Sequence, residues 1–585
     1  MFNLDAIDNH FPMRDAEGKA SYREGQKGAI EFALNAFNQD KKIVIIEAPV
    51  GAGKSAIGMT LLDMVNRGYY LTGTKILQDQ LVREFATVNG EEGLIELKGR
   101  NAYPCTFYQR QGADLVRKTV WTQKQLDEHL LKRHNCADGF CRSRTGKSAG
   151  GADKGKCSKC FTVAGPNGNS RPGGDLEVLP LGMRHSACPY YEQVYRATRG
   201  RKVTMNFSSF LFQTQMTKRF EDPRDILIID EGHNIEPQLM DFVSLTISDA
   251  QLQKHGVILP ELDSAEEYAV FFEDAKLHEA MFKVIEEAEE AENTFLVDDF
   301  SRTLKKYKMF LDHLQGEGSE WVHEYESGKD GNKVTLKPVY VQNMAYELLF
   351  KYAERVVIMS ATILDVDVVC KSLGIDRDQV AAIRLKNRFP KENRPIYLKP
   401  LAKMTGGKDG MRQWGPALVS GVNELVDKYK GQKGIIHTQN FAILELLRDN
   451  CDAAVRQRFL LQKDFGNDKQ AMLNVHARRK DSVLVAPAMH EGIDLHGDLS
   501  RFQIITKVPY PNFFDNEQLN RRVELDRRYY TWLTALKLVQ SYGRSVRSET
   551  DFADTYILDE AIYKFLRDAK SMLPDWFVEA IHDQG

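Results

Sequence analysis

The chain has 585 residues, 42% of them apolar and 28% charged, with a formal net charge of −3. That length predicts several domains, and the near balance of charge leaves any grip on an anionic partner to local patches. No apolar run reaches the ~18 residues of a membrane span, and the opening MFNLDAIDNHFP lacks the basic start and apolar core of a secretory signal, so the expectation is a protein that is not secreted and not bound to a membrane.

Residues 42–49, KIVIIEAP, read as a buried strand, followed by GAGKS, a helical stretch AIGMTLLDMV and a second strand GYYLTGT that ends near Thr74. APVGAGKS at 48–55 is the phosphate-loop pattern with Ala48 in the place of the first glycine. Small residues there, Ala48, Gly51 and Gly53, let backbone N–H groups wrap phosphates closely, and the helix that follows points its N-terminus at the anion. Lys54 is placed to reach the β- and γ-phosphates, and Ser55 to put a hydroxyl on Mg²⁺. ATP and Mg²⁺ are the expected ligands.

Six of the eight cysteines (Cys105, Cys136, Cys141, Cys157, Cys160 and Cys188) fall within 84 residues. In a reducing compartment such a cluster reads as metal binding rather than disulfides. Cys136-x4-Cys141-x15-Cys157-x2-Cys160 is close to a zinc-ribbon spacing, so Zn²⁺ on those four is one reading. Residues 142–202 hold twelve Lys/Arg against four Asp/Glu, with Tyr190, Tyr191, Tyr195 and Phe207 in or near the stretch. Basic side chains that track phosphates and aromatics that stack on bases would suit a single-strand path; the plainer reading is a solvated basic loop.

Further along, ILIID at 226–230 runs an apolar strand into two adjacent carboxylates, Asp230 and Glu231. In a chain with a phosphate loop, an aspartate at the end of a neighbouring strand helps hold Mg²⁺, and the adjacent glutamate is placed to orient or deprotonate an attacking water. From 240 to 335 the pattern changes. Met281, Val284, Ile285 and Ala288 form a helical stripe, and residues 261–300 carry fourteen acids and two lysines. The expectation is a separate, mostly helical insertion with a solvated acidic face.

The strand–helix alternation then resumes with RVVIMSAT at 355–362, GIIHT at 434–438, SVLVAP at 482–487, FQIITKV at 502–508 and TYILD at 555–559. Such alternation predicts parallel sheets, here as two α/β blocks with the insertions in the first. In QSYGRSVR at 540–547, Arg544 and Arg547 are three apart and share a face if the segment is helical. A guanidinium suits the charge that develops on a transferring phosphoryl group.

The order AxxxxGKS, DEGH, SAT, GID and QxxGRxxR resembles the superfamily 2 helicases, with DEGH standing where DEAH is usual. The finer match is to the iron–sulfur branch that contains XPD/Rad3 and DinG. YREGQ at 22–26, LKGRNAYPC at 97–105, ACPYYEQVYRA at 187–197, TMNFSSFL at 204–211 and LPDWF at 573–577 carry it over nearly the whole chain. The resemblance implies an α/β fold of two RecA-like P-loop motor domains, the first interrupted by a cysteine-rich metal-cluster domain and a helical arch domain. The implied bounds are motor domain 1 in three parts (1–98, 201–240, 336–390), cluster domain 99–200, arch domain 241–335 and motor domain 2 at 391–585.

The resemblance also implies roles. Lys54, Asp230, Glu231, His233, Gln540, Arg544 and Arg547 take the catalytic positions, with Mg²⁺ on Ser55 and Asp230. Gln26, Gly492 and Asp494 join the loop in holding the nucleotide, Gln26 at the adenine, and Ser360 and Thr362 couple the two blocks. Cys105 and Cys188 take the outer positions of a [4Fe–4S] cluster, with Cys157 and Cys160 favoured as its middle pair over Cys136 and Cys141, whose CxxxxC resembles DinG although there the last cysteine follows much sooner; the zinc set remains the alternative. The implied activity is ATP-driven 5′–3′ translocation on single-stranded DNA and unwinding of forked or partly duplex DNA, in repair or replication, by a monomer working at the nucleoid in the cytoplasm or in the nucleus. The polarity comes from the resemblance alone. A translocase that strips proteins or R-loops with little unwinding would use the same motor. A binding module with a vestigial ATPase is disfavoured by the intact Lys54, Asp230, Glu231, Gln540, Arg544 and Arg547. The motifs name no protein partner.

Overall fold

The computed structural model describes residues 2–85, 87–88, 91–92, 94–103, 162–164, 170–172, 189–217, 219–252, 257–290, 294–316, 319–329, 331–466, 468–487, 489, 493, 495–512 and 516–583. The six clustered cysteines, Cys105, Cys136, Cys141, Cys157, Cys160 and Cys188, lie outside the described residues, as do Gly492 and Asp494.

Strands β1 (Ile43–Glu47), β2 (Gly68–Thr72), β3 (Ile95–Glu96), β4 (Lys202–Asn206) and β5 (Arg224–Ile229) come first. Three more follow in the insertion, β6 (Leu245–Ser248), β7 (Trp321–Gly328) and β8 (Gly331–Pro338), and then β9 (Ala353–Ser360) and β10 (Val380–Arg384). The second block adds β11 (Ile396–Ala402), β12 (Gly434–His437), β13 (Phe459–Leu461), β14 (Val483–Ala486), β15 (Phe502–Ile505), β16 (Asp554–Asp559) and β17 (Ile581–Asp583). The first sheet has the order β10-β1-β9-β5-β2-β4-β3 and the second β13-β14-β12-β15-β16-β11-β17. Every pairing in both is parallel.

All five residues of β1 are buried, as expected of a strand covered on both faces of a parallel sheet. Alternate residues serve opposite cores: Val44 and Ile46 join Tyr70 and Ile228 under the Gln26–Asn38 and Lys54–Asp63 helices, while Ile43 and Ile45 join the cluster on the other face. The register aligns Glu47 of β1 with Ser360 of β9, and Ile358 of β9 with Ile229 of β5. The phosphate loop, Asp230 and Ser360 therefore leave three neighbouring strands at one edge, the carboxyl end where parallel sheets bind ligands.

The insertion is mostly helical, but it carries a sheet the sequence did not predict and is not separate from the first block. It holds helices Ala265–Asp274, Leu277–Glu290 and Thr294–Leu314, but also the antiparallel sheet β6-β8-β7. Its core is continuous with the first block, since Tyr268, Phe272 and Met281 share a cluster with Leu239, Ile229 and Ile358. The predicted stripe is present: Met281, Val284 and Ala288 are buried with Leu277, Ile285 lies partly buried at the edge, and Glu286, Glu287 and Glu290 face solvent. The β7–β8 hairpin escaped the sequence reading because charged residues interrupt both strands and β8 buries only alternate positions, so no apolar run marks it.

The second block is fastened to the first through Arg522. This side chain is 1% exposed, pairs with Glu236 at 3.1 Å, donates to Ser372 Oγ at 2.6 Å and lies 3.8 Å over the Tyr340 ring. No helix among the described residues is long and apolar enough to cross a membrane.

Candidate nucleotide-hydrolysis site

β1 ends at Glu47, and the chain turns through Ala48, which is fully buried, into a loop where Gly51 (φ +82°) and Gly53 (φ +78°) take left-handed conformations. Such values favour glycine. The Gly51 position also leaves no room: a Cβ there would lie 2.7 Å from Cζ of Phe389. The Lys54–Asp63 helix then begins, so Lys54 and Ser55 sit in its first turn.

Two residues ahead of that helix brace the loop. Arg23 donates from Nη1 to the Gly51 carbonyl at 2.7 Å, and Gln26 donates from Nε2 to the Gly53 carbonyl at 3.1 Å while its Oε1 accepts from Arg23 N at 2.7 Å. The Gln26 carboxamide thus ties the loop at Gly53 to the backbone of Arg23.

Asp230 closes β5, and its amide donates to the Leu71 carbonyl of β2 at 2.9 Å. Its carboxyl accepts from Glu231 N at 2.9 Å, and burial pushes its pKa up to about 6, against the attraction of Lys54 and with the repulsion of Glu231. Glu231 has φ +56°, a conformation that costs a non-glycine residue about 1–3 kcal/mol and clusters at functional sites. It aims the side chain between two bases: Oε1 is 4.0 Å from Lys54 Nζ, and Oε2 is 3.4 Å from His233 Nδ1.

The glycine of DEGH has a local cause. A Cβ on Gly232 would fall on Cγ2 of Ile358 in β9, so alanine fits only if that isoleucine turns away.

From His233 a chain of contacts reaches the second block. His233 Nδ1 lies 2.8 Å from Ser360 Oγ, Ser360 Oγ accepts from Thr362 N at 3.1 Å, and Gln540 Nε2 donates to Thr362 Oγ1 at 3.4 Å. The Arg527–Tyr542 helix ends just past Gln540, so Arg544 and Arg547 do not share a helical face as expected. They converge by another route, each donating to the Ile493 carbonyl at 3.2 Å. The Arg547 carbonyl approaches Gly51, 3.6 Å from where its Cβ would be, and Arg547 joins Arg23, Lys386, Arg388, Phe389 and Gly51 around a cavity of about 390 Å³.

Arg23, Lys386, Arg388 and Phe389 were not singled out by the sequence. The last three lie in the connection between the sheets, where no periodicity marks them; the basic and aromatic run KNRF was the available signal. Conversely, Tyr190 (1% exposed), Tyr191 (4%) and Phe207 (0%), expected beside a nucleic-acid path, are core residues. Tyr195 is partly exposed and carries the Arg199 guanidinium 3.9 Å over its ring.

The donor set fits a hard divalent cation. Ser55 and Asp230 offer two oxygens, and Mg²⁺ is commonly held by one or two carboxylates plus substrate phosphates rather than by a full protein cage. A phenol hydroxyl buried beside both, that of Tyr70, makes no well-formed hydrogen bond among the described residues. Among the described residues no group of three or more His, Cys, Asp or Glu side chains is placed to hold a metal ion.

Residues 423–580 match the family described as helicase C-terminal domain, and residues 130–252 the family DEAD_2. A stretch of 105 residues is 30% identical to the ATP-dependent DNA helicase CHL1 of Candida albicans, covering 14% of this chain and 12% of that protein. A second, of 106 residues, is 24% identical to the CHL1 of Eremothecium gossypii, covering 15% and 13%. The alignments thus span about an eighth of those relatives' length. Among solved structures, one described as XPD helicase superposes with a TM-score of 0.59 at 12% identity, over 96% of this chain and 100% of that one. One described as apo XPD gives 0.54 at 12% identity, with the same coverage. At that identity the likeness is one of fold.

Proposed function

From a chain that belongs to the XPD/Rad3 type of superfamily 2 helicases, we propose an ATP-dependent DNA helicase that moves 5′ to 3′ on single-stranded DNA and unwinds duplex, in repair or replication. What carries the reading is the meeting of Lys54 and Glu231, 4.0 Å apart, with the second block's Arg547 at the mouth of the same phosphate loop. All three come from one chain, which supports action as a monomer.

In this reading ATP phosphates lie on the loop between Gly51 and Ser55. Lys54 neutralises their charge, and Ser55 and Asp230 hold Mg²⁺, which would polarise the terminal phosphate. Glu231 takes the proton of the attacking water, with His233 steadying its carboxylate. Arg544 and Arg547 leave the Ile493 carbonyl and turn to the charge that develops on the transferred group. Each turnover then changes contacts on both sides of the His233–Ser360–Thr362–Gln540 chain, which ties hydrolysis to relative movement of the two blocks.

DNA needs a second anionic track. At the carboxyl ends of β12, β14 and β15, His437, Gln439, Pro487, Lys507, Lys537 and Ser541 surround a cavity of about 210 Å³. Lys507 is half-buried there, has no hydrogen bond or ion pair among the described residues, and has its ammonium pKa lowered by burial. Such a group is relieved by a phosphate. For Lys507→Gln we expect weaker single-strand binding and a salt dependence of log K shallower by about 0.7, the share of one phosphate contact, with nucleotide affinity unchanged. An unaltered slope would take Lys507 off the DNA track.

The cysteine segment is assigned a [4Fe–4S] cluster on Cys105, Cys157, Cys160 and Cys188. Its described flanks support the outer pair, since the rings of Tyr103 and Tyr190, two residues before Cys105 and two after Cys188, are 5.6 Å apart. Protein purified without oxygen is expected to carry about four irons per chain and to lose them in Cys105→Ser. One zinc without iron would move the ligands to Cys136, Cys141, Cys157 and Cys160. The helicase reading itself is tested by strand separation on duplexes with a 5′ or a 3′ single-stranded tail. Unwinding from the 5′ tail supports it; protein displacement without strand separation would favour the translocase that clears proteins or R-loops.

A further inference from the structure

Tyr70 lies within β2, on the face that packs beneath the Lys54–Asp63 helix, and is fully buried. Its ring occupies the space left by Gly58, where a Cβ would lie 2.8 Å from Tyr70 Cε2. Its hydroxyl stands beside the Ser55 hydroxyl and the Asp230 carboxylate, close enough to interact with both, yet it is not aligned for a well-formed hydrogen bond with either or with any other described residue. Buried tyrosine hydroxyls are normally paired, and an unpaired buried polar group costs about 1–3 kcal/mol. Phenylalanine would fill the same space without that cost. The chain keeps an oxygen where the ligand-free fold gives it no well-formed hydrogen bond among the described residues.

We propose that Tyr70 is a positioning residue for the metal–nucleotide complex: its hydroxyl hydrogen-bonds to the hydration shell of the divalent cation and to the Asp230 carboxylate, fixing the orientation in which that carboxylate meets the cation. The proposal rests on Ser55 and Asp230 as the cation's ligands. A tyrosine phenol carries its proton at neutral pH, so the group can act as a donor. In the ligand-free protein the same hydroxyl is a liability, which separates this role from a purely structural one. A hydroxyl that braced the fold would stabilise the empty protein; this one stabilises only the loaded site.

The test uses the full chain and its Tyr70→Phe variant. Thermal unfolding is measured without metal or nucleotide, and fluorescent ADP binding is titrated against Mg²⁺ and repeated in EDTA. The expected result is a ligand-free Tm equal to or above the wild type, unchanged ADP affinity in EDTA, and a Mg²⁺ requirement for tight binding raised roughly tenfold, the lower end of what loss of a partner orienting a metal ligand costs. An unchanged Mg²⁺ requirement overturns the proposal, as does a lowered ligand-free Tm. Ser55→Ala and Asp230→Asn separate the two layers of the argument. If they shift the Mg²⁺ requirement and Tyr70→Phe does not, only Tyr70 is misassigned. If none of the three shifts it, the cation's ligands are misassigned as well.

Discussion

Glu231→Gln is expected to bind nucleotide with wild-type affinity and to hydrolyse it slower by a factor of roughly 10²–10⁴, the usual worth of a general base. The change keeps the shape of the side chain and removes its basicity. Lys54, 4.0 Å away, stays to hold the phosphates. Because Glu231 is one of the groups that raise the Asp230 pKa, its neutralisation also eases ionisation of the metal-binding carboxylate, so tight Mg²⁺–nucleotide binding should survive. Steady-state turnover with a parallel fluorescent-nucleotide titration checks both halves. Wild-type turnover in Glu231→Gln would mean that another group takes the water's proton. Loss of binding together with turnover would mean that the Glu231 carboxylate serves nucleotide or metal binding rather than activation of the water.

The second large effect belongs to Arg547. Its backbone is at the phosphate loop, 3.6 Å from the position of a Gly51 Cβ, while its guanidinium is parked on the Ile493 carbonyl. A guanidinium supplied to the transferring phosphoryl group is worth on the order of 10³-fold or more in rate, so Arg547→Ala should lose about that much in kcat and little in nucleotide affinity. Arg547→Lys should not restore it, because an ammonium lacks the planar fork. Equal losses in kcat and in affinity would make Arg547 a binding residue rather than one that acts in the transition state.

The phosphate loop was legible in the sequence for a physical reason. A phosphate loop needs small residues, a lysine and a hydroxyl at fixed spacing after a buried strand, and each requirement leaves a visible residue type at 48–55. The carboxylates at 230 and 231 stand out because an apolar strand ends on them. What stayed hidden depends on contacts between distant segments. Arg23 and Phe389 meet the loop from elements far apart in the chain. Tyr70 reads as one more apolar strand residue until its hydroxyl is seen beside Asp230. Tyr190, Tyr191 and Phe207 misled in the opposite direction: aromatics near a basic stretch suit nucleic-acid stacking, but here they fill the core beside β4. The helical face expected for Arg544 and Arg547 is not formed, since the helix stops at Tyr542; both guanidiniums instead donate to the Ile493 carbonyl.

The central claim is that ATP hydrolysis at Lys54, Asp230 and Glu231 is driven by single-stranded DNA. The measurement that tests it most directly is ATP turnover of the purified protein with and without single-stranded DNA, beside Lys54→Ala under the same conditions. The account predicts turnover that rises with DNA and vanishes in Lys54→Ala. Turnover indifferent to DNA, or surviving in Lys54→Ala, would contradict it.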